Sequence, residues 1–528
     1  MIGEGGESVL TWADLERDAR RFAARYRAIG IPRGAEILIF LRHVPELYGA
    51  FFGAMLGGFV PSFMPCSSPR QNPAIYWSSH QTLLERTEPS AIVAERATFA
   101  QMEGTGLRLG GAQRIVVEEL AGAGSSFDPP PSEATALLQH SSGTTGLKKG
   151  VALSYDSILA QIDAYRRALA IESDDVIVSW LPLYHDMGLI ACCVMPAFLG
   201  IPIVHIDPFF WVARPASLLD AIARYRGTLA WLPNFGFEHL ARVAGRAAGD
   251  FDLSHVRAFV NCSEPCKPAT FDRFLAAFAA SGVRDAQLQC CYAMAETVFA
   301  VTQTVPGAVP RRIRVAPDSV ARGRRPVLVE TGGLELIETG AAIDGVTLAI
   351  CDEARDALPD GTVGEIAIRA PFLFTHYNRD AVRTAERLDG GTYFSRDVGF
   401  IRDGHLFVLG RIDDLIIVNG RNLYAHEVEA CIGAIAGVKP GRCVVVGSFD
   451  ERVGSETLIV ICERDRTSDR GADDLIRDIV TTVHSVFEIT PRRVHVVDEG
   501  WLIKTTSGKI SRSENLARLM AESAAGQA

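Results

Sequence analysis

From Leu10 to Val204 the chain alternates between two hydrophobic periods, and this alternation restricts the fold more than any other feature. Asp14 to Ile29 repeats apolar residues at helical spacing, Glu36 to Phe40 is a short continuous apolar run, and Pro45 to Phe59 returns to the helical period. Further strand-like runs occur at Ala91–Val93, Arg114–Val117, Ala136–Gln139, Val176–Trp180, Thr228–Leu232, Ala258–Val260 and Leu288–Cys291, each closed by polar, Gly or Pro residues. Continuous rather than alternating apolar runs belong to strands covered on both faces, so the reading is α/β with doubly wound sheets.

The 528 residues exceed what one hydrophobic core can organise. After about Val346 the texture changes to Leu348–Ile350, Glu365–Arg369 and Gly404–Val408 between Gly- and Asp-rich turns, a β-rich subdomain. Beyond Arg411-Ile412-Asp413-Asp414, strand-like Cys443–Val446, Thr457–Cys462 and Arg493–Val497 surround a helix over Asp473–Phe487. The expected division is a large domain, 1–412, and a small α+β domain, 413–528.

With 53 Lys+Arg against 63 Asp+Glu, the net charge of −10 offers no field for a nucleic-acid backbone. Eleven cysteines, among them Cys192-Cys193 and Cys290-Cys291 inside apolar runs, read as reduced thiols in a cytoplasmic protein. Cys262 and Cys266 lack the second pair a structural zinc needs. Met1 to Ser8 lacks the basic and apolar regions of a signal peptide. Met187 to Val204 is uncharged, but Pro196, Gly200 and Pro202 make it a buried helix followed by a strand rather than a membrane span.

Ser141-Ser142-Gly143-Thr144-Thr145-Gly146-Leu147-Lys148-Lys149-Gly150 lies between two strand-like runs. Its backbone N–H groups, hydroxyls and lysines suit phosphate oxygens, and its glycine spacing excludes a Walker loop; alone, it could equally be a Gly/Ser hairpin. This segment resembles the phosphate loop of the adenylate-forming superfamily of acyl-CoA synthetases, luciferases and peptide-synthetase adenylation domains. Tyr292-Ala293-Met294-Ala295-Glu296-Thr297, Ser395-Arg396-Asp397, Gly410-Arg411-Ile412-Asp413-Asp414 and Thr506-Ser507-Gly508-Lys509-Ile510 resemble the later motifs of that family, in order. Within it, Trp180 to Ile190, Pro233-Asn234-Phe235 and Gly420 to Tyr424 are similar to the fatty acyl-AMP ligases.

The resemblance implies ATP-dependent activation of a medium- or long-chain fatty acid to acyl-AMP with release of pyrophosphate. The acyl group then passes to the phosphopantetheine thiol of an acyl carrier protein, in lipid, polyketide or peptide biosynthesis. An acyl-CoA synthetase and a catalytically silent adenylate- or acyl-binding protein are the alternatives. Lys509, His185 and Glu296 are the implied catalytic residues, with Glu296 holding Mg²⁺. ATP and AMP would be held by Ser141, Ser142, Gly143, Thr144, Thr145, Gly146, Lys149, Ser263, Tyr292, Ala293, Met294, Ala295, Thr297, Asp397 and Arg411. Tyr292 would stack on adenine and Asp397 would accept from the ribose hydroxyls. Trp180, Phe235 and Gly236 would wall the acyl pocket, and Asp413 would be the pivot of a mobile C-terminal domain. Lys504 is the rival to Lys509. Lys148, His140, Cys262, Ala293 and Arg396 depart from the family pattern, three of them where Gly is usual. Pro306 to Arg325 resembles the insertion that hinders the coenzyme A route, and its arginines present a basic surface to an acidic carrier.

Overall fold

The first apolar runs lie side by side. Glu36–Phe40 (β1), Val60–Phe63 (β2), Ala91–Ala94 (β3) and Gln113–Val116 (β4) form a parallel sheet in the order β2-β1-β3-β4. Parallel neighbours need a crossover, and the helices Pro45–Leu56, Pro73–Thr87 and Arg96–Gly104 supply the three. Gly53 lets the first of these approach the helix Trp12–Ala28, since a Cβ there would lie 2.5 Å from the Ala19 carbonyl oxygen. β2 escaped the sequence reading because Pro61 and Ser62 interrupt its apolar run.

The computed structural model describes residues 1–66, 73–120, 127–141, 149–244, 250–418, 421–450, 455–487, 489–504 and 510–525. Thr135–Ser141 (β5) and Lys149–Ser154 (β6) pair antiparallel, and His376–Tyr377 adds to β6 with Tyr377 opposite Val151. Ile177–Ser179 (β7), Ile203–His205 (β8), Leu229–Leu232 (β9), Ala258–Asn261 (β10) and Leu288–Ala293 (β11) then form a second parallel sheet, ordered β8-β7-β9-β10-β11. Ala300–Gln303 (β12) extends it antiparallel. One continuous hydrophobic cluster joins both sheets, from Phe22 and Phe51 to Trp231 and Phe299. Met187–Val194 forms a π-helix, every residue buried, that continues as Met195–Leu199 and stops at Gly200 in the left-handed region. The expected helix-then-strand is present, with a π turn that periodicity does not show. Among the described residues no helix is long and apolar enough to cross a membrane.

The β-rich part is a five-stranded antiparallel sheet containing Thr347–Cys351, Gly364–Arg369, Thr392–Arg402 and His405–Arg411. Further on, Val438–Asp450, Ser455–Arg464 and Arg493–Val497 form a sheet packed against Ala425–Gly433 and Ala472–Phe487, and Ile416 to Ile489 contribute a separate hydrophobic cluster.

Pro306 to Arg325 is tied down at both ends. Arg312–Val315 pairs antiparallel with Leu334–Ile337, and Val315 and Val320 share a cluster with Phe400, Phe407 and Tyr424, against which Ile412 and Leu415 pack. Three of its six arginines are in ion pairs: Arg312 with Asp272 (2.6 Å), Arg314 with Glu335 (3.2 Å) and Arg322 with Glu353 (3.0 Å). The basic surface is therefore narrower than the sequence implied, with Arg311, Arg324 and Arg325 as its exposed members outside those pairs.

Candidate active site

Parallel sheets place ligands at the carboxyl ends of their strands, where the chain leaves the layer and side chains converge. Trp180 follows β7, Asp207 follows β8, Phe235 follows β9, Ser263 follows β10, and Met294 to Glu296 follow β11.

Glu296 sits in the short turn Ala295–Thr297, held by a backbone that few residues adopt. Val298 has φ 63° and ψ −54°, and Phe299 N donates to Thr297 O at 2.6 Å, the strained γ-turn geometry for an L residue. Thr297 Oγ1 donates within this turn to Met294 O and Phe299 O, so Thr297 shapes the loop. The Glu296 carboxylate accepts from the Tyr377 hydroxyl at 2.7 Å. Lys149, first residue of β6, has its ammonium 5.5 Å from the Tyr377 ring centroid. Burial lowers the Lys149 pKa and the Glu296 charge opposes that shift, so the two are electrostatic neighbours.

A second polar group adjoins the first. Asp397 pairs in register with Arg411, whose Nε donates to Oδ1 at 3.1 Å, while the Tyr292 hydroxyl donates to Oδ2 at 2.5 Å. Burial raises the Asp397 pKa, with Arg411 and then Tyr292 pulling it down. Burial raises Tyr292 too, and the adjacent Asp397 charge adds to it. Asp397 keeps lone pairs for two ribose hydroxyls beyond these bonds, because each carboxylate oxygen accepts more than once. Ser395 Oγ accepts from Asp397 N at 3.0 Å and donates to Ile366 O, fixing the strand at this point.

At the carboxyl ends of β7 to β10 lies an apolar cavity of about 220 Å³, with Trp180, His185, Met187, Phe235 and Ser263 in its wall. Its size suits one narrow chain, below the range of drug-sized ligands. Trp180 stacks on Trp211 with ring centroids 3.6 Å apart and meets Phe235 edge-on at 5.9 Å. His185 Nδ1 lies 2.6 Å from Asp186 Oδ1, which leaves Nε2 as the ring's other polar atom. Gly236 is buried but does not line the cavity; its Cβ direction faces Leu232 and Pro233.

The structure thus gathers Lys149, Tyr292, Glu296, Asp397 and Arg411 into one polar cluster, and places Trp180, His185, Phe235 and Ser263 in the wall of the cavity, with Ser263 following β10, the strand that pairs with β11. Ala293 and Met294 bridge β11 to the Glu296 turn. Ser142, Gly143, Thr144, Thr145, Gly146, Lys148 and Lys509 lie outside the described residues, and Ser141 and Asp413 are described by backbone alone, at the end of β5 and in the turn Ile412–Asp414.

A family description, AMP-binding enzyme, matches residues 1–378. The chain is 30% identical over 416 residues to a long-chain-fatty-acid–AMP ligase of Mycobacterium marinum, covering 74% of this chain and 70% of that one. The chain belongs to the AMP-binding enzymes, in the fatty acyl-AMP ligase branch. It is 29% identical to a 4-hydroxyphenylalkanoate adenylyltransferase of the same organism (97% and 86% covered) and 28% identical to a medium-chain-fatty-acid–[acyl-carrier-protein] ligase of Moorena producens (97% and 90% covered). A solved structure from a study of fatty acyl-adenylate ligases of E. coli and L. pneumophila shares the fold, with a TM-score of 0.91, 24% identity, and 98% and 94% of the two chains covered.

Two further residues here hold strained backbone: Arg396, one of the departures from the expected pattern, has φ 62°, and Ser263, next to Cys262, has φ 68°. Both are in the left-handed region, which side chains disfavour. Sequence reasoning missed Tyr377, because only the pairing of its two-residue strand with β6 brings it to Glu296 and Lys149. It also missed Lys267, whose ammonium donates to His426 O at 3.0 Å and ties the Ser263 loop to the helix Ala425–Gly433. Desolvation brings the Lys504 pKa down to about 8, with the Glu264 charge opposing that shift.

Proposed function

We propose that this fatty acyl-AMP ligase joins a medium- or long-chain fatty acid to the α-phosphate of ATP, releases pyrophosphate, and passes the acyl group to the phosphopantetheine thiol of an acyl carrier protein. The observation that carries the reading is the pairing of a charged cluster, Lys149, Glu296, Asp397 and Arg411, with a narrow apolar cavity that reaches Ser263 at the end of β10, the strand next to the one that leads to Glu296. Carboxylate attack on phosphorus brings negative groups together, so catalysis needs fixed cations and an in-line nucleophile. Lys149 screens the polyphosphate, Asp397 and Arg411 hold the ribose side, and the cavity fixes the acyl chain so that its carboxylate meets the α-phosphate. His185, at the cavity wall, orients that carboxylate through Nε2, and Lys509 stabilises the transition-state charge.

Mg²⁺ fits this site through Glu296. Among the described residues there is no group of three metal-ligating side chains, but Mg²⁺ is commonly bound by one carboxylate, water and the nucleotide phosphates, which is what buried Glu296 beside Lys149 offers. When bound, it neutralises phosphate charge. Asp413 is the proposed pivot between 1–412 and 413–528. Eleven free cysteines support a reducing, cytoplasmic setting.

The carrier acceptor is favoured over coenzyme A because Val315 and Val320 of the insertion pack with Tyr424, Ile412 and Leu415 and so brace the segment on which a domain rotation turns. Offering the enzyme a fatty acid, Mg-ATP, a phosphopantetheinylated carrier and coenzyme A together tests this directly. Acyl-carrier should dominate; robust acyl-CoA synthesis would move the protein to the conventional synthetases.

A further inference from the structure

We infer that the acid this site takes carries a hydroxyl group at the end remote from its carboxylate, recognised by His43, Asp207 and Arg42. The inference rests on the proposed acid activation and names its substrate more narrowly.

The cavity has two unlike ends. One is at Ser263 and Glu264, after β10 and next to β11 with its Glu296 turn; the other is at Arg42, His43 and Asp207, after β1 and the edge strand β8. β10 and β8 are three strand spacings apart, about 14 Å at roughly 4.8 Å each. An extended alkyl chain advances about 1.3 Å per carbon, given its 1.5 Å bonds, so a chain of roughly eleven carbons reaches from one end to the other. Between the ends the wall is Phe63, Met64, Trp180, Leu181 and Met187, which asks for hydrocarbon.

The far end asks for something else. His43 Nε2 is 3.2 Å from the His205 carbonyl and donates to it, which makes Nδ1 the acceptor of a neutral ring. Burial lowers its pKa, which favours the neutral ring. Behind it, His205 is fully buried, with Nδ1 2.6 Å from the Tyr48 hydroxyl and its ring edge-on to His43, so His43 is held in place rather than free to turn away. Asp207 Oδ1 accepts from Phe209 N and Phe210 N and caps the helix Pro208–Ala213, which anchors its carboxylate. A terminal methyl would strip water from these groups and return no hydrogen bond. A second carboxylate would meet Asp207. A hydroxyl donates once and accepts twice, matching an acceptor on His43 or Asp207 and the Arg42 guanidinium.

The hydroxyl can end an alkyl chain or an aryl ring, so two matched pairs are compared: an ω-hydroxy fatty acid with its unsubstituted counterpart, and a hydroxyaryl-alkanoic acid with its unsubstituted counterpart. Pyrophosphate release and direct calorimetric binding are measured for each. The wild-type enzyme should favour the hydroxylated member of at least one pair by about tenfold or more in kcat/KM and in affinity, since a site built to pair a hydroxyl discriminates against its absence. His43→Phe keeps the ring and removes its nitrogens, and Asp207→Asn keeps the helix cap but replaces the anionic acceptor; the enzyme carrying both substitutions should bring the ratio close to one. Equal use of both members by the wild type, or a ratio that survives both substitutions, overturns the inference while leaving acid activation intact. No pyrophosphate with any acid overturns the activation reading instead, and the binding ratio still decides the hydroxyl.

Discussion

Tyr292 donates its hydroxyl to Asp397 Oδ2 at 2.5 Å, while Arg411 holds the other oxygen at 3.1 Å. This couples the strand that leads to Glu296 with the strand proposed to hold ribose. Tyr292→Phe keeps the aromatic face but leaves a buried carboxylate one donor short, costing roughly 1.5–3 kcal/mol of stability. Chemical denaturation should show that loss, and ATP affinity should fall with it. Unchanged stability would mean the bond contributes nothing net.

Lys149 is a half-buried cation whose pKa is lowered by desolvation, so its charge is costly in the free protein and useful only once phosphates arrive. Lys149→Met should leave Tm unchanged or higher, yet cut pyrophosphate release about 10²–10³-fold, the scale of removing one preorganised charge donor. A drop in Tm with normal turnover would assign Lys149 to structure alone.

The large α/β body and the order of its motifs were legible because continuous apolar runs and helical periods are strictly local signals. Glu296, Asp397 and Arg411 could be singled out by family pattern, but not their partners. Tyr377 reaches Glu296 only because His376–Tyr377 pairs with β6, more than 220 residues earlier, and no local period encodes that register. His43 and Asp207 likewise meet because two separate sheets place their carboxyl ends together. Pro306 to Arg325 read as basic surface because sequence shows cations but not the Asp272, Glu335 and Glu353 that pair with Arg312, Arg314 and Arg322.

Packing also decides how the insertion should be tested. Deleting residues 311–322 would strip Leu334–Ile337 of its partner strand and empty a core position at Val315. Val320→Ala instead loosens the cluster that includes Tyr424, and a bias of ~1.4 kcal/mol between domain orientations changes acceptor use tenfold. Acyl-CoA formation should rise relative to acyl-carrier with pyrophosphate release largely kept; an unchanged acceptor ratio would detach the insertion from acceptor choice.

Glu427, at the start of the helix that Lys267 contacts, is pushed up to about 7 by burial, with Lys267 opposing. Its folded pKa lies above the unfolded value of 4.5, so the folded state binds the proton more tightly. Stability should therefore fall as pH rises from about 4.5 through about 7 and then level off. Glu427→Gln should flatten that window in a pH series of denaturation midpoints. A slope identical to wild type would place the titration on another group.

The most direct test of acyl adenylation omits any thiol. With Mg-ATP and medium- to long-chain fatty acids, with and without a terminal hydroxyl, product should be followed by mass spectrometry of acyl-AMP and by pyrophosphate release. Acyl-AMP should accumulate in proportion to pyrophosphate, and Lys509→Ala should reduce both about 10²–10³-fold while Lys504→Ala has a smaller effect. Neither product above background with any acid would contradict the account and leave a binding protein that has kept the fold.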